Sequence, residues 1–324
     1  MFPVEHNVGQ SVIPLTGRAL VDLETAVGVA QLPRQKGDPR MGTYAVTGSA
    51  SGMGYQVAQK LRDAGHAVIG VDVKQADIVA DLSTGEGRQA AAAGVLAASG
   101  SKLDGAVLAA GLGPTTAPGR ARLVAQVNFF GVVDLLDAWR PALSAAERAK
   151  VVVFSSNSTT IMPIVPKRTV RAFLAHDSEK AIRSVSLLGK HASLFIYPAS
   201  KIAVSRWVRR EAIKAEWAGA GIRLNAIAPG AIMTPMLEES MASPKGAERF
   251  QSVPVPIGGY GDAGQLADWV LFMLSDAADF LCGSVLFVDG GTDAYFRTDD
   301  WPKPAPAYRL VSYLKRLKAY SPSA

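Results

Sequence analysis

The stretch Thr47-Gly48-Ser49-Ala50-Ser51-Gly52-Met53-Gly54 decides how this chain is read. Before it, Thr43 to Val46 is a short apolar run of the kind that forms a buried strand. After it, Tyr55 to Ala64 places Val57, Ala58 and Leu61 on one face of a helix. Strand, glycine turn and helix in that order make a nucleotide-binding unit. The glycines let the backbone turn tightly and approach a pyrophosphate. The helix N-terminus then offers unpaired N–H groups and the positive end of its dipole. The spacing is Gly-x-x-x-Gly-x-Gly rather than Gly-x-Gly-x-x-Gly. Taken alone, such a turn is weak evidence, and an ordinary turn is the lesser alternative.

Working outward, strands and helices alternate, which predicts one doubly wound α/β domain of Rossmann type, a parallel sheet with helices on both faces. Strands are expected at Ala67–Val71, ending at Asp72, at Ile78–Ala80, ending at Asp81, and at 105–111. Further strands are expected at Val151–Phe154, ending in Ser155-Ser156, and at 221–228 and 284–288. Helices are expected over 86–98, 121–143 (holding Asn128), 197–218 and 265–274. In such a sheet ligands lie beyond the carboxyl ends of the strands, and Gly48, Asp72, Asp81, Gly111, Ser156 and Pro229 all fall there. A carboxylate at Asp72, 18 residues past Gly54, can accept bonds from adenosine ribose hydroxyls and would repel a 2′-phosphate. That favours NAD over NADP, with Lys74 softening the preference. Tyr197 and Lys201 are spaced i, i+4 and share one helical face. An ammonium beside a phenol lowers its pKa from about 10, so that it can donate or remove a proton near neutral pH.

The chain has 324 residues, 48% hydrophobic and 19% charged, enough for a large core and too apolar for disorder. Its single cysteine, Cys282, excludes an intrachain disulfide, and no secretory signal or membrane-length apolar run is visible, so a cytoplasmic setting is expected. The net charge of +6 is half concentrated in residues 298–324, with no basic patch interleaved with aromatics in the body, so no nucleic-acid partner is expected. The four histidines lack metal-ligand spacing, and no metal site is expected.

Together, Thr47-Gly48-x3-Gly52-x-Gly54, Asn128, Ser156, Tyr197-x3-Lys201, Pro229-Gly230 and Asp289-Gly290-Gly291 resemble the motifs of the short-chain dehydrogenase/reductase family over about Gly42 to Phe296. Within the family, stretches such as Gly70–Val73, Ala80–Thr84, Val127–Gly131 and Arg223–Ala231 resemble its bacterial 3α-hydroxysteroid dehydrogenase/carbonyl reductase branch. The resemblance implies an NAD-dependent oxidoreductase that interconverts a secondary alcohol and a ketone, with an apolar small molecule, probed first as a hydroxysteroid, as substrate. The rivals are a reductase of non-steroid ketones or quinones and a dinucleotide-sensing protein without turnover.

By that resemblance Tyr197 is the catalytic acid or base. Lys201 lowers its pKa and holds nicotinamide ribose hydroxyls, Ser156 bonds the substrate oxygen, and Asn128 holds a water leading from Lys201. Cofactor contacts fall to Gly48, Ser51, Gly52, Met53 and Gly54, then to Asp72, Asp81, Leu82, Ala110 and Gly111. Pro229, Gly230, Ile232 and Thr234 complete the set, with Ile232 and Thr234 at the carboxamide. Ser155 remains an alternative to Ser156, Asn128 can instead be a structural amide that bends its helix, and Thr234 can simply cap the next helix.

Two departures stand out. The family's Asn-Asn-Ala-Gly is here Ala109-Ala110-Gly111, so local hydrogen bonds must be made otherwise. And 40 residues separate Ser156 from Tyr197, far more than most of the family carries. The segment 157–196 is read as one or two inserted helices, with apolar Val170, Phe173, Leu174, Ala181, Ile182, Val185 and Leu188 and a cap at Asp177. The insert is either surface decoration or a block on the family's helix-pair dimer face, which leaves a monomer or a homodimer through another surface.

Around the body (41–297), residues 1–40 are read as an extension, either an arm or a stretch upstream of a start at Met41. Met233, Met236 and Met241 mark 233–258 as either a mobile lid or a core-filling segment. The tail 298–324 carries a basic amphipathic helix, expected to pack on the body or a partner rather than on a membrane.

Overall fold

The computed structural model describes residues 41–242, 248, 253–302, 304 and 306–319. The extension 1–40, positions 243–247 and 249–252 of the methionine-bearing segment, and the last five residues lie outside the described residues. Seven strands, β1 (Thr43–Thr47), β2 (Ala67–Asp72), β3 (Ile78–Val79), β4 (Gly105–Leu108), β5 (Lys150–Phe154), β6 (Arg223–Pro229) and β7 (Val285–Val288), form one sheet. The order is β3-β2-β1-β4-β5-β6-β7 and every pairing is parallel. The expected doubly wound sheet is present. The strand order reverses between β1 and β4, which opens a crevice at their carboxyl ends.

The helices in chain order are α1 (Gly52–Asp63), α2 (Gly85–Ala98), α3 (Arg120–Ala125) and α4 (Gly131–Ser144). They continue with α5 (Ser158–Ile161), α6 (Lys167–Leu174), α7 (Ser178–Arg183), α8 (Ala192–Glu211) and α9 (Pro235–Met241). The last three are α10 (Ala263–Leu274), α11 (Thr292–Phe296) and α12 (Leu310–Ala319). The middle of the central strands is apolar, as in Ala45–Val46, Ala106–Leu108 and Val151–Phe154, because both faces are covered. Side chains alternate between two cores: Ala45, Ala106, Leu108, Val151 and Val153 face α2, α4 and α8. Val46, Val107, Val152, Phe154 and Ile227 face α1 and α10. This two-residue alternation is the pleat expressed as packing.

The helix expected at 121–143 is broken: α3 passes through a π-helical segment, Gln126–Phe130, before α4 begins. The wider turn is centred on Asn128 and marks the kind of irregularity often found at functional sites. The helix carrying Tyr197 starts earlier and ends earlier than expected, at Ala192 and Glu211.

Segment 157–196 contains α5, α6, α7 and a 3₁₀ turn, Ser186–His191. Asp177 caps α7 by accepting from Lys180 N at 2.8 Å. Val170, Phe173, Ala181 and Val185 are buried, and the Phe173 ring lies 5.1 Å from Phe129 and 6.1 Å from Phe130. The segment is therefore seated on the main core. Leu188 departs from the expected apolar face: it lies exposed in the 3₁₀ turn, which kinks at Gly189.

At the amino end of β5, Lys150 is buried, with Nζ 3.0 Å from Asp276 Oδ1 and 2.9 Å from Asp279 Oδ1. Lys150 and Arg148 hold the Asp279 carboxyl below its ordinary value. A depressed carboxyl contributes stability above its unfolded pKa and loses it as pH falls through the folded one. Asp279→Ala should cost about 1–2 kcal/mol at neutral pH by urea denaturation, because a buried ammonium loses one of two partners. The gap to the parent should narrow below about pH 4, where the carboxylate itself protonates. An undiminished gap there would locate the loss in packing.

Candidate active site

The glycine turn closes the top of β1. Gly48 has φ +70°, and a Cβ there would stand 2.8 Å from Ala110 N. A Cβ on Gly54 would stand 2.2 Å from the Gly48 carbonyl oxygen. Both positions therefore need glycine for contact with backbone, whatever else they serve. Ser51 begins α1 with extended backbone and no side-chain cap, so the first-turn N–H groups face outward without a side-chain partner. Ala50 N donates to Asp72 Oδ2 and Lys74 N to Asp72 Oδ1, each at 3.1 Å. Asp72 thus fastens the turn to the tip of β2 and keeps spare lone pairs for another donor.

Across the crevice, Ser155 and Ser156 part company. The Ser155 hydroxyl lies 2.7 Å from Ser205 Oγ and donates to the Lys201 carbonyl at 3.4 Å, so it is taken up by α8. Ser156 accepts from Ser158 N at 3.1 Å and hydrogen-bonds the Tyr197 phenol. The geometry brings Ser156, not Ser155, to Tyr197. Lys201 is buried and donates from Nζ to the Phe154 carbonyl at 2.8 Å. Burial away from water, with no carboxylate offsetting it, pushes its ammonium down to about 8. Burial pushes the Tyr197 phenol up, and the bond to Ser156 pulls it partly back. The expected lowering of Tyr197 by Lys201 is therefore not what the pair displays: burial dominates the phenol, and Nζ is turned to the Phe154 carbonyl.

Asn128 is fully buried in the π-helical segment. Its Oδ1 accepts from Leu112 N at 2.8 Å and its Nδ2 donates to Leu112 O at 3.0 Å. Its amide thus holds the chain leaving β4, the structural use left open by the sequence. Together with Thr47 Oγ1, which accepts from Ala110 N at 3.1 Å, it supplies local bonds in place of the family's asparagines. Between these groups, a Cβ on Gly111 would be in ordinary contact with Asn128 Oδ1 at 3.5 Å, Lys201 Nζ at 3.6 Å and the Ala109 carbonyl oxygen at 4.0 Å, so the chain at Gly111 passes directly beside the buried amine.

The remaining residues are placed more variously. Asp81 is exposed and accepts from Ser83 N at 2.9 Å. Leu82 is buried in the core with its side chain against Gly131, so only its backbone is offered to a ligand. Pro229 ends β6 and its carbonyl accepts from Asn157 N at 2.9 Å. Gly230 packs on Asp289, where a Cβ would stand 2.7 Å from Cα. The Ile232 side chain is in the core and its backbone bridges to Gly261. Thr234 caps α9 by accepting from Leu237 N at 3.3 Å, and its methyl lies 3.5 Å from where a Gly52 Cβ would be. The cap and the closeness to the glycine turn thus hold together. Met53 packs partly into the core under α10.

The sequence reading passed over one link. Asp289 Oδ2 accepts from Asp293 N at 2.7 Å and from Asn157 Nδ2 at 3.5 Å, while the Asp293 carboxylate bonds Thr160. The loop beginning at Ser156 is thereby tied to α11. Asn157 and Asp289 stand 132 positions apart, and no local pattern signals the pair.

A family model described as enoyl-(acyl carrier protein) reductase matches residues 168–293. A 3-alpha-hydroxysteroid dehydrogenase/carbonyl reductase of Comamonas testosteroni is 37% identical over 257 residues, covering 79% of this chain and 98% of that protein. A cis-4-hydroxycyclohexanecarboxylate dehydrogenase of Sinomonas cyclohexanicum is 30% identical, covering 78% and 88%. The crystal structure of a 3-alpha-hydroxysteroid dehydrogenase from Pseudomonas sp. B-0831, complexed with NADH, superposes with a TM-score of 0.74 at 43% identity, covering 79% of this chain and 99% of that one.

The chain belongs to the short-chain dehydrogenase/reductase family. It is an oxidoreductase acting on CH–OH groups.

As a short-chain dehydrogenase/reductase, the chain has a crevice that fits a dinucleotide: an uncapped helix end over a glycine cradle, an acceptor at the tip of β2, and a glycine, Gly111, passing close beside a buried amine. Among the described residues, no three His, Cys, Asp or Glu side chains are grouped to hold a metal. The raised phenol gives a direct check. Ultraviolet titration of the free enzyme against Tyr197→Phe should show the Tyr197 phenol ionising above the ordinary value of about 10. Ionisation near neutrality in the free enzyme would mean that Lys201 already overcomes the burial.

Proposed function

We propose that this chain is an NAD-preferring dehydrogenase/reductase of hydroxysteroids or comparably bulky apolar alcohols and ketones, and that Tyr197, Ser156, Lys201 and Asn128 form its catalytic group. The observation that carries this reading is the hydrogen bond between the Tyr197 phenol and Ser156, on the crevice side of β5 and beside a buried Lys201. A nicotinamide dinucleotide held there would supply or accept the hydride. The residues do the rest. Ser156 Oγ and Tyr197 Oη form two donors converging on one substrate oxygen. In reduction the neutral phenol, kept neutral by burial, releases its proton to the developing alkoxide. In oxidation the phenolate removes the alcohol proton, and Lys201 supplies the positive charge that favours that phenolate. Asn128 positions the β4 exit and thereby the floor above Lys201.

Gly48, Ser51, Gly52, Met53 and Gly54 would hold the pyrophosphate, and Asp72 the adenosine ribose. Asp81 and the Leu82 backbone would lie by the adenine, with Ala110 and Gly111 under the nicotinamide ribose. The backbone run from Pro229 and Gly230 to Ile232, with Thr234, would meet the carboxamide. NAD is favoured because a carboxylate at the tip of β2 repels a 2′-phosphate. The steroid reading is supported by the Comamonas and Pseudomonas relatives. The Sinomonas relative supports smaller cyclic alcohols as the second reading. In both readings the enzyme works in the cytoplasm.

The insert, seated on α8, would obstruct pairing through the family's helix-pair face. Away from that face, exposed Trp269 and Phe272 on α10, Phe280, and the half-buried open edge β7 offer an apolar surface. We therefore favour a dimer through α10 and β7 or a monomer. A solution tetramer retaining the helix-pair contact would overturn this.

The central test is NADH formation with 3α-, 3β- and 17β-hydroxysteroids and cyclic secondary alcohols, with NADP run alongside. Turnover of a 3α-hydroxysteroid with NAD is expected, and Tyr197→Phe should lower kcat by at least about 10²-fold. Asp72→Ser should raise KM for NAD and lower it for NADP. Turnover of small cyclic alcohols alone would replace the steroid. Full activity in Tyr197→Phe would remove the mechanism.

A further inference from the structure

The C-terminal helix α12 lies outside everything the active site uses. None of its residues is buried. Leu310, Leu314 and Leu317 are 58%, 46% and 62% exposed, so the expectation that this helix packs on its own body is not met. At about 100° per residue the three leucines fall within about 60° of one another and form a single stripe. Tyr313 and Val311 flank it, and both are exposed. Lys315, Arg316 and Lys318 stand off the stripe, on both sides of the polar face.

From Pro306 to Ala319 the sequence has four cations and no carboxylate. Exposed Trp301 and Tyr308 precede the helix. A leucine stripe bordered by lysine and arginine, with tyrosine and tryptophan nearby, matches an anionic lipid surface on each count. The stripe enters the acyl boundary, the long cationic side chains reach back to the headgroups, and the aromatic rings sit at the interface. A second copy of this chain is a poorer match, because it would bring the same four cations against these. A whole-chain charge of +6 adds to that repulsion and to the pull of an anionic surface.

We propose that α12 docks this enzyme on the surface of a bilayer containing anionic lipid, lying in the interface plane with Leu310, Leu314 and Leu317 inserted. No helix among the described residues is long and apolar enough to cross a membrane, so this is surface attachment. A ten-residue helix buries little apolar area, and binding should be reversible and salt-dependent.

The experiment is co-sedimentation of the full chain with vesicles of equimolar phosphatidylcholine and phosphatidylglycerol, and with phosphatidylcholine alone. Binding is expected only to the anionic vesicles, weakening with added salt. Leu314→Asp/Leu317→Asp and, separately, Lys315→Glu/Lys318→Glu should each lower the partition coefficient by about 10-fold or more. The active site lies elsewhere, so both variants should keep the parent's kcat in free solution, which shows that they are folded. Equal partition of the leucine variant and the parent would overturn the proposal, as would failure to bind anionic vesicles. Lipid-free sedimentation in which only the leucine variant loses self-association would assign the stripe to a second copy and overturn it as well.

Discussion

No Cβ fits between Gly54 and the carbonyl of Gly48, and the geometry of the crevice follows from that closeness. Because α1 starts directly against the end of β1, its amino end opens over the carboxyl ends of β1 and β4, where the strand order reverses. Gly48 in turn touches the Ala110 backbone, so the exit of β4 is pinned to the same point. Asp72 ties the turn to β2, and Asn128 ties Leu112 to the π-helical segment. Four chain segments far apart in sequence thus meet at one backbone contact, each held by a hydrogen bond or a steric limit that a larger residue would break.

Much of this was legible before the structure. The apolar strands, their helices and the shared face of Tyr197 and Lys201 follow from periodicity. Other features depend on tertiary packing. Ser155 and Ser156 are adjacent hydroxyls of the same type, and only Ser205, one turn beyond Lys201 on α8, decides which of them is used up. Gly230 is a glycine because of Asp289, and Leu82 is a core residue because of Gly131. The break at Gln126–Phe130 has no glycine or proline to announce it. Gly131 follows the break and Pro141 lies further on, but neither falls within the widened turn, which seats Asn128 against Leu112. The asparagines absent after β4 are offset by Thr47 and Asn128, residues whose types were visible but whose reach was not.

The insert and the tail show why amphipathicity alone does not locate a partner. Both carry apolar residues at helical spacing. In the insert, Val170, Phe173 and Ala181 find Phe129, Phe130 and α8, and the stripe disappears into the core. In α12 none of the leucines is buried among the described residues. The difference lies in the surroundings: the insert is bounded on both ends by the sheet and α8, so its faces are forced together. Beyond α11 the described residues of the tail have no such enclosure.

Burial, rather than charge pairing, sets the protons of the site. The displacement of Lys201 from 10.5 to about 8 corresponds to about 3 kcal/mol against its charged form. The Tyr197 phenol is displaced upward for the same reason, so each group alone resists ionisation. Together they need not. Opposite charges about 5 Å apart, as on neighbouring turns of one helix, attract by about 3 kcal/mol at an effective dielectric of 20. That is close to the cost of keeping the ammonium charged. It does not also cover the upward displacement of the phenol, so the phenolate–ammonium pair needs a further stabilising contact before it forms. At about 8 the Lys201 ammonium is still largely protonated at neutral pH, so its charge is already in place when such a contact lets the phenol release its proton.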